Sequence, residues 1–398
     1  MDISAAEQNI LSYIEKNEAE MTDFLRKLVM CNSENPPGNE TDTALIIKKK
    51  LEEIGMRTQL QEAAPGRYNI IGILEGDSPE TLLFNGHMDT VKIGTPENWT
   101  CDPLGAEIKD GMLYGRGSCD MKGGLVSMIY ALKAVASINI DRKKTIMFTG
   151  VIDEEVFFKG TQKLIDSGIL SECSACYIAE PTSCGIATSL QGAAEFTAVT
   201  YGKSAHCGMA EMGVKAIIPM SDFIISLKNE GDILKKKYTA AGSPIAPTIN
   251  VGLIKGGTDI LLVPDRCEIS FDRQVFPDEN MDEAIQKIRS LFDDVCRKHG
   301  VKGEINCNQY FFPWKCDSDH PVIKAAEASH LKASGDPSRK IVFRGYAEIE
   351  MLARYGIPGA LYGPGSILQA HRPDEFVSLS EVTQAAKTYA LIAYDFIK

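Results

Sequence analysis

Nowhere in the 398 residues is there an uncharged apolar run long enough to span a bilayer, so no membrane-spanning helix is expected. Basic residues are in the minority. Lys and Arg number 42 against 54 Asp and Glu, and the net charge of −12 speaks against general affinity for nucleic acid or anionic membrane, though not against a local basic pocket. The opening stretch MDISAAEQNILSYIEK lacks a basic start, an apolar h-region and a small-residue cleavage site, so no signal peptide is expected. Eleven cysteines, odd in number and without framework spacing, fit the reduced thiols of a cytoplasmic protein better than a secreted disulfide scaffold. No fixed-period repeat or low-complexity tract stands out. Histidine is scarce, with six residues, so each can be weighed singly.

What remains is ordinary globular composition, 44% apolar and 24% charged. The length is about twice what one hydrophobic core organises, which predicts two domains. Amphipathic helical spacing through Ile10, Ile14, Phe24, Leu25, Leu28 and Val29 stops before the breaker Asn35-Pro36-Pro37-Gly38, and a further helix runs from Ala44 to Ile54. Short apolar runs at 69–74, 81–84, 145–149 and 175–178 alternate with helical stretches at 124–137 and 161–167, the pattern of an α/β sheet covered on both faces. Between 192 and 313 the order becomes β-α-β-β-α-β: strand 194–200, helix 214–227, strands 248–254 and 267–273, helix 281–299, strand 304–311. The α/β pattern then resumes, with helices at 321–333, 348–355 and 380–397 and a strand at 359–362. The second unit therefore reads as an insertion that splits the first.

Five segments carry chemistry. Gly86-His87-Met88-Asp89-Thr90-Val91 sets an imidazole two residues from a carboxylate just after a buried strand, a place where α/β sheets hold ligands. Taken alone, the pair also fits a buried histidine that merely satisfies hydrogen bonds. Gly115-Arg116-Gly117-Ser118-Cys119-Asp120-Met121-Lys122-Gly123-Gly124 surrounds Asp120 with glycines, and its spacing matches no phosphate-cradling loop. Asp153-Glu154-Glu155 stacks three acids at a strand end, which costs repulsion and desolvation unless cations compensate; a solvated acidic turn is the alternative. Glu180 follows another apolar run, and His371 lies in the glycine-proline loop Gly363-Pro364-Gly365 to Glu375. Two His, one Asp and three Glu without a thiolate suit two divalent ions sharing one carboxylate, with Zn²⁺ favoured and Co²⁺ or Mn²⁺ also compatible. Cys173-Ser174-Ala175-Cys176 lacks thioredoxin context and a second such pair, so these read as buried structural thiols.

In this order, with an inserted domain, the five segments resemble the metallopeptidase family of acetylornithine deacetylase, succinyl-diaminopimelate desuccinylase and the carboxypeptidase G type glutamate carboxypeptidases. The resemblance runs from Pro36-Pro37-Gly38 to the last helix. It implies an α/β/α catalytic domain, residues 1–191 and 314–398, interrupted by an α+β, ferredoxin-like lid and dimerisation domain at 192–313. It further implies that His87, Asp120, Glu155, Glu180 and His371 ligate two metals, with Asp120 bridging, His87 paired with Glu180 and His371 paired with Glu155. Asp89 would orient His87, and Glu154 would be the general base toward a metal-activated water that attacks an amide carbonyl. The Asp120-Met121 peptide would be cis.

Tyr201-Gly202-Lys203-Ser204-Ala205-His206 resembles the family segment whose histidine reaches the partner subunit's site and stabilises the oxyanion, implying this role for His206 and a homodimer through the lid domain. A surface histidine in a turn is the alternative. Arg273 could pair bidentately with a substrate carboxylate, and Gly365 is a second substrate-binding candidate. Relatives often carry Asn where Leu261 stands, and Thr-Asp-Ala-Arg where this chain has Ala347-Glu348-Ile349-Glu350. Oxidation of Cys119, beside Asp120, or Cys207, beside His206, would be a route to inhibition. The expected reaction is hydrolysis of a small N-acyl amino acid or a dipeptide bearing a carboxylate. A dipeptidase or aminoacylase of other specificity, and a silent ligand-binding protein on the same scaffold, are the alternatives; retention of Glu154 with every expected ligand favours an enzyme.

Overall fold

The computed structural model describes residues 3–138, 140–240 and 246–398. They divide into two compact units, Met1–Ser189 with Cys316–Lys398, and Leu190–Lys315.

The first unit is built on a twisted sheet whose middle strands are parallel. Lys144–Val151, Ser78–His87, Cys173–Ile178 and Gly359–Leu361 run side by side in that order, each parallel to its neighbour. Residues 81–87 and 145–151 are buried throughout, as strands covered on both faces must be, and this is why they read as unbroken apolar runs. The hairpin Arg57–Ala64 and Arg67–Leu74 extends one edge antiparallel, and Ile186–Leu190 joins the other side antiparallel to Gly359–Leu361. The outermost strand, Arg57–Ala64, reads RTQLQEAA and is only partly buried, so it carries no strand signal in the sequence.

Helices cover the sheet in two sets. Gly123–Ala136, nearly all buried, packs on Leu379–Ile397, which in turn meets Ala5–Lys16 and Pro321–Ser334. Glu40–Glu53, Lys159–Asp166 and Ile349–Arg354 form the second set, against the edge hairpin and Gly359–Leu361. A capping box between Ser4 and Glu7 starts the first helix, and His320 with Pro321 at the first turn starts another that ends at left-handed Gly335. A small antiparallel sheet, Glu107–Lys109, Met112–Tyr114 and Phe376–Ser378, brings the glycine-rich segment next to the loop containing His371.

The second unit is a four-stranded antiparallel sheet in the order Ile249–Gly256, Arg266–Val275, Gly192–Tyr201, Lys302–Phe311. With helices Ile217–Ala240 and Met281–His299 this is the split β-α-β fold. Phe196 stacks on Phe271 at 5.0 Å between ring centres, and Phe223 meets Phe271 and Phe292 edge-on, so aromatic rings join sheet to helices. The helix expected from Val214 begins at Ile217, because Val214 exchanges backbone hydrogen bonds with Lys203 and is held in a β-bridge.

Candidate metal centre

Four parallel strands deliver their ends to one edge of the first unit's sheet. His87, the last residue of its strand, is level with Val151, and Asp153 to Glu155 begin two residues beyond. On the other side Asn85 is level with Ile178, after which comes Glu180. Leu361 is level with Ile178 on the next strand and leads into the loop that holds His371. The crevice beyond the carboxyl ends of such strands is where open α/β sheets bind ligands.

Asp120 enters from the glycine-rich segment and stands between the two histidines. Its Oδ1 lies 3.0 Å from His87 Nε2 and its Oδ2 lies 3.4 Å from His371 Nε2. His371 Nε2 is also 3.1 Å from Glu155 Oε2. The Asp120-Met121 peptide is cis. Glu375 fixes this turn from behind, accepting the backbone N–H of Cys119 and Asp120 at 2.9 and 3.1 Å while pairing with Arg116 at 2.5 Å.

The donor set fits divalent cations. His87 Nδ1 is 2.9 Å from the backbone carbonyl of Asp89, to which it donates its proton, so Nε2 is the ring nitrogen turned to the Asp120 carboxylate. Two acceptors at that distance repel unless a proton or a cation lies between them. Ligand atoms of His87, Asp120 and Glu155 all lie within 4.8 Å of one another. Burial drives the Glu154 carboxyl well above its ordinary range, and the negative charge of Glu180, Glu155 and Glu348 adds to it. Glu180 is pushed up by burial and then by Asp120, and its Oε1 is buried without a hydrogen-bond partner. Asp120 moves the other way: burial would raise it, but hydrogen bonds from His371 and His87 hold it below the usual carboxylate range. The same contacts, to Asp120 and Glu155, lift His371 to about 10. This many buried acids around two imidazoles call for positive charge at their centre.

Asp89 serves the site through both backbone and side chain. Its carbonyl meets His87, whereas its carboxylate, 3.7 Å from His87 Nδ1, accepts the backbone N–H of Glu154 and of Glu155 at 3.1 Å each. Glu348 lies fully buried behind the acids, receiving Asn85 Nδ2 at 2.7 Å and Thr161 Oγ1 at 2.8 Å. Burial pushes it up to about 7. Glu350, three-dimensionally apart from these contacts, pairs with Arg354 on its own helix at 3.6 Å.

Both residues expected to contact substrate have internal partners. Arg273 is 4% exposed and forks onto Glu279 at 2.9 and 2.6 Å, an internal ion pair. Gly365 has both backbone polar groups engaged: its N–H donates to Glu381 Oε2 at 2.7 Å and its carbonyl accepts from Ser183 N–H at 2.6 Å. Glycine is required there by a φ of 82° and by Cys119 Sγ, which a Cβ would approach to 2.6 Å. Cys119 itself is buried, its thiol pushed well up by burial and by the charge of Glu375, which argues against ready oxidation; Cys207 is exposed. His206 sits exposed at the start of the turn Cys207–Met212, with Nδ1 accepting Gly208 N–H at 3.1 Å. The other histidines have structural partners: His299 with Asp222, His320 as a helix cap, His330 with Tyr362.

Residues 83–395 match Peptidase family M20/M25/M40. The chain belongs to this family. It is 26% identical over 416 residues to N-formyl-4-amino-5-aminomethyl-2-methylpyrimidine deformylase of Halalkalibacterium halodurans, a match covering 98% of this chain and 97% of that protein. A Staphylococcus aureus protein named probable succinyl-diaminopimelate desuccinylase is 26% identical over 403 residues, 94% of this chain and 99% of that one. A solved tripeptidase structure from Staphylococcus aureus shares the fold with a TM-score of 0.80 at 21% identity, covering 96% of this chain and 99% of that chain. Membership of the M20/M25/M40 family makes the protein a metal-dependent hydrolase of amide bonds.

Proposed function

We propose that the chain holds two divalent cations at its buried acid cluster and hydrolyses the amide of a small N-acylated amino compound or a dipeptide. The reading rests above all on Asp120, one carboxylate facing two imidazoles. His87 and Glu180 would share one ion with it, His371 and Glu155 the other. Zn²⁺ suits these nitrogen and oxygen donors best, with Co²⁺ or Mn²⁺ as alternatives. Such ions, when bound, polarise an amide carbonyl and acidify a water. Glu154 would take the proton of that water and hand it to the leaving nitrogen. Asp89 holds the backbone of the acid loop and the ring of His87, and Glu375 holds the turn of Asp120.

The names of the relatives support an N-acyl amine over a long peptide: one removes a formyl group, another a succinyl group. A substrate carboxylate would need a partner other than Arg273, whose charge Glu279 already takes. His206 would donate from Nε2 to the oxyanion in the partner's site, since acceptance of Gly208 N–H at Nδ1 leaves the neutral ring its proton on Nε2. A homodimer through the second unit is supported by its edge strand Ile249–Gly256 and following loop, where Leu253, Ile254, Ile260 and Leu261 are 62%, 59%, 93% and 59% exposed. The eleven free thiols favour a reducing, cytoplasmic setting.

The test is chelated protein reloaded with Zn²⁺, Co²⁺ or Mn²⁺ and offered N-formyl, N-acetyl and N-succinyl amines together with dipeptides. Metal-dependent release of a free amine from one class is expected. Protein that binds two ions and hydrolyses none of these would turn the reading toward a silent binding protein.

A further inference from the structure

The loop that carries Glu154 and Glu155 leaves its strand through Asp153, whose φ of 67° lies in the left-handed region. That conformation is uncommon for a residue with a side chain and persists only where its surroundings enforce it. Here the enforcement is visible. Asp153 Oδ1, on a residue 1% exposed, accepts Arg67 Nη1 at 3.0 Å and Asn35 Nδ2 at 2.9 Å. Arg67 spreads its remaining donors over Glu40, Nε to Oε2 at 2.9 Å and Nη2 to Oε1, and Glu40 is fully buried at the start of Glu40–Glu53. Asn35 Nδ2 donates also to Asp89 Oδ2 at 2.9 Å, and Asp89 in turn receives the N–H groups of Glu154 and Glu155. The chain passes directly over the guanidinium: at Gly38, φ 94°, a Cβ would come within 2.2 Å of Arg67 Cζ.

We infer that Arg67 and Asn35 are positioning residues for Glu154, clamping Asp153 in its left-handed turn so that the base points at the water it deprotonates. The segment Asn35-Pro36-Pro37-Gly38 thereby acquires a part in the chemistry that no side chain on it performs directly. This rests on the general-base reading of Glu154. Arg67 opens the strand Arg67–Leu74, one in from the edge of the sheet, and touches neither His87, Asp120, Glu180 nor His371 in any hydrogen bond or ion pair. Its loss should therefore act on turnover rather than on substrate affinity or bound metal.

The experiment compares R67M, R67K and the double variant R67M/E40Q, which avoids leaving Glu40 buried and unpaired, with E154Q as reference. The expected result is a fall in kcat of about 10- to 100-fold for R67M and R67M/E40Q, the size of effect that a displaced catalytic group produces. KM and the metal-to-protein ratio should stay at the wild-type values. R67K, with a single-point donor in place of a fork, should recover part of kcat. Unchanged kcat in the double variant while E154Q is inactive overturns the inference and leaves the base assignment standing. A fall in kcat matched by loss of metal overturns it too, as a merely structural effect. Full turnover in E154Q overturns both.

Discussion

His371 Nε2 stands 3.1 Å from Glu155 Oε2 across 216 positions of sequence. The histidine side chain in this pair is 52% exposed, whereas that of His87, on the other side of Asp120, is 1% exposed. An ion held by His371 and Glu155 should exchange with solvent first. Removal of metal by a chelator is expected in two phases, with H371A lacking the fast one and D120N losing both ions. Elemental analysis during dialysis reads this directly; simultaneous release of both ions from the wild-type protein would contradict it.

His206 can be tested by mixing subunits. H206A and E154Q are each expected to lose activity, the former by about 100- to 1,000-fold as for other oxyanion donors. In the proposed dimer, a heterodimer of the two would contain one site with Glu154 in its own chain and His206 from the partner's chain. Co-refolded mixtures should recover about a quarter of wild-type activity, from half the dimers with one working site each. No recovery in mixtures shown to contain heterodimers would remove the exchanged histidine from the mechanism.

Glu7 links the first helix to Pro321–Ser334 through Lys332 Nζ at 2.5 Å. Burial alone would raise its carboxyl, but hydrogen bonds from Lys332 and Ser4 outweigh this and bring it from 4.5 down to about 2. A folded-state value below the unfolded one means stabilisation that is fully present above pH 4.5 and lost as the pH falls through about 2. E7Q should cost about 2 kcal/mol at neutral pH in urea unfolding. The gap to wild type should close over the acidic window, and a gap independent of pH would show that the charge contributes nothing.

The cysteines separate by accessibility. Iodoacetamide on the native protein should modify exposed Cys207 and spare Cys119, whose buried thiol donates to the Ser366 carbonyl at 3.3 Å and is held well above the ordinary thiol range by burial. Mass mapping of the adducts decides it. Rapid labelling of Cys119 in folded protein would mean that the loop around Gly365 opens.

The parallel strands were readable because burial on both faces removes alternation: 145–149 and 175–178 are plain apolar runs. The family-type segments were readable because most of the proposed ligands follow strand ends or stand next to recognisable glycines. Arg57–Ala64, half-exposed and polar, was not. Nor were the supporting charges. Glu348 acquires its meaning from Asn85, 263 positions away, and Glu375 from the backbone of Cys119, 256 positions away. Arg273 shows the opposite difficulty, since its competitor Glu279 is only six residues distant and takes the guanidinium that the motif left open.

The place of Gly359–Leu361 in the sheet has a consequence for biosynthesis. It lies between Cys173–Ile178 and Ile186–Leu190, strands made far earlier. A nascent chain would therefore have an unfilled slot in its sheet while the strands of the second unit, which pair among themselves, are made. His371 would reach Asp120 only after Gly359–Leu361 has been made and has entered the sheet. An ion proposed at His371 and Glu155 would therefore be taken up late, after the rest of the sheet has been made.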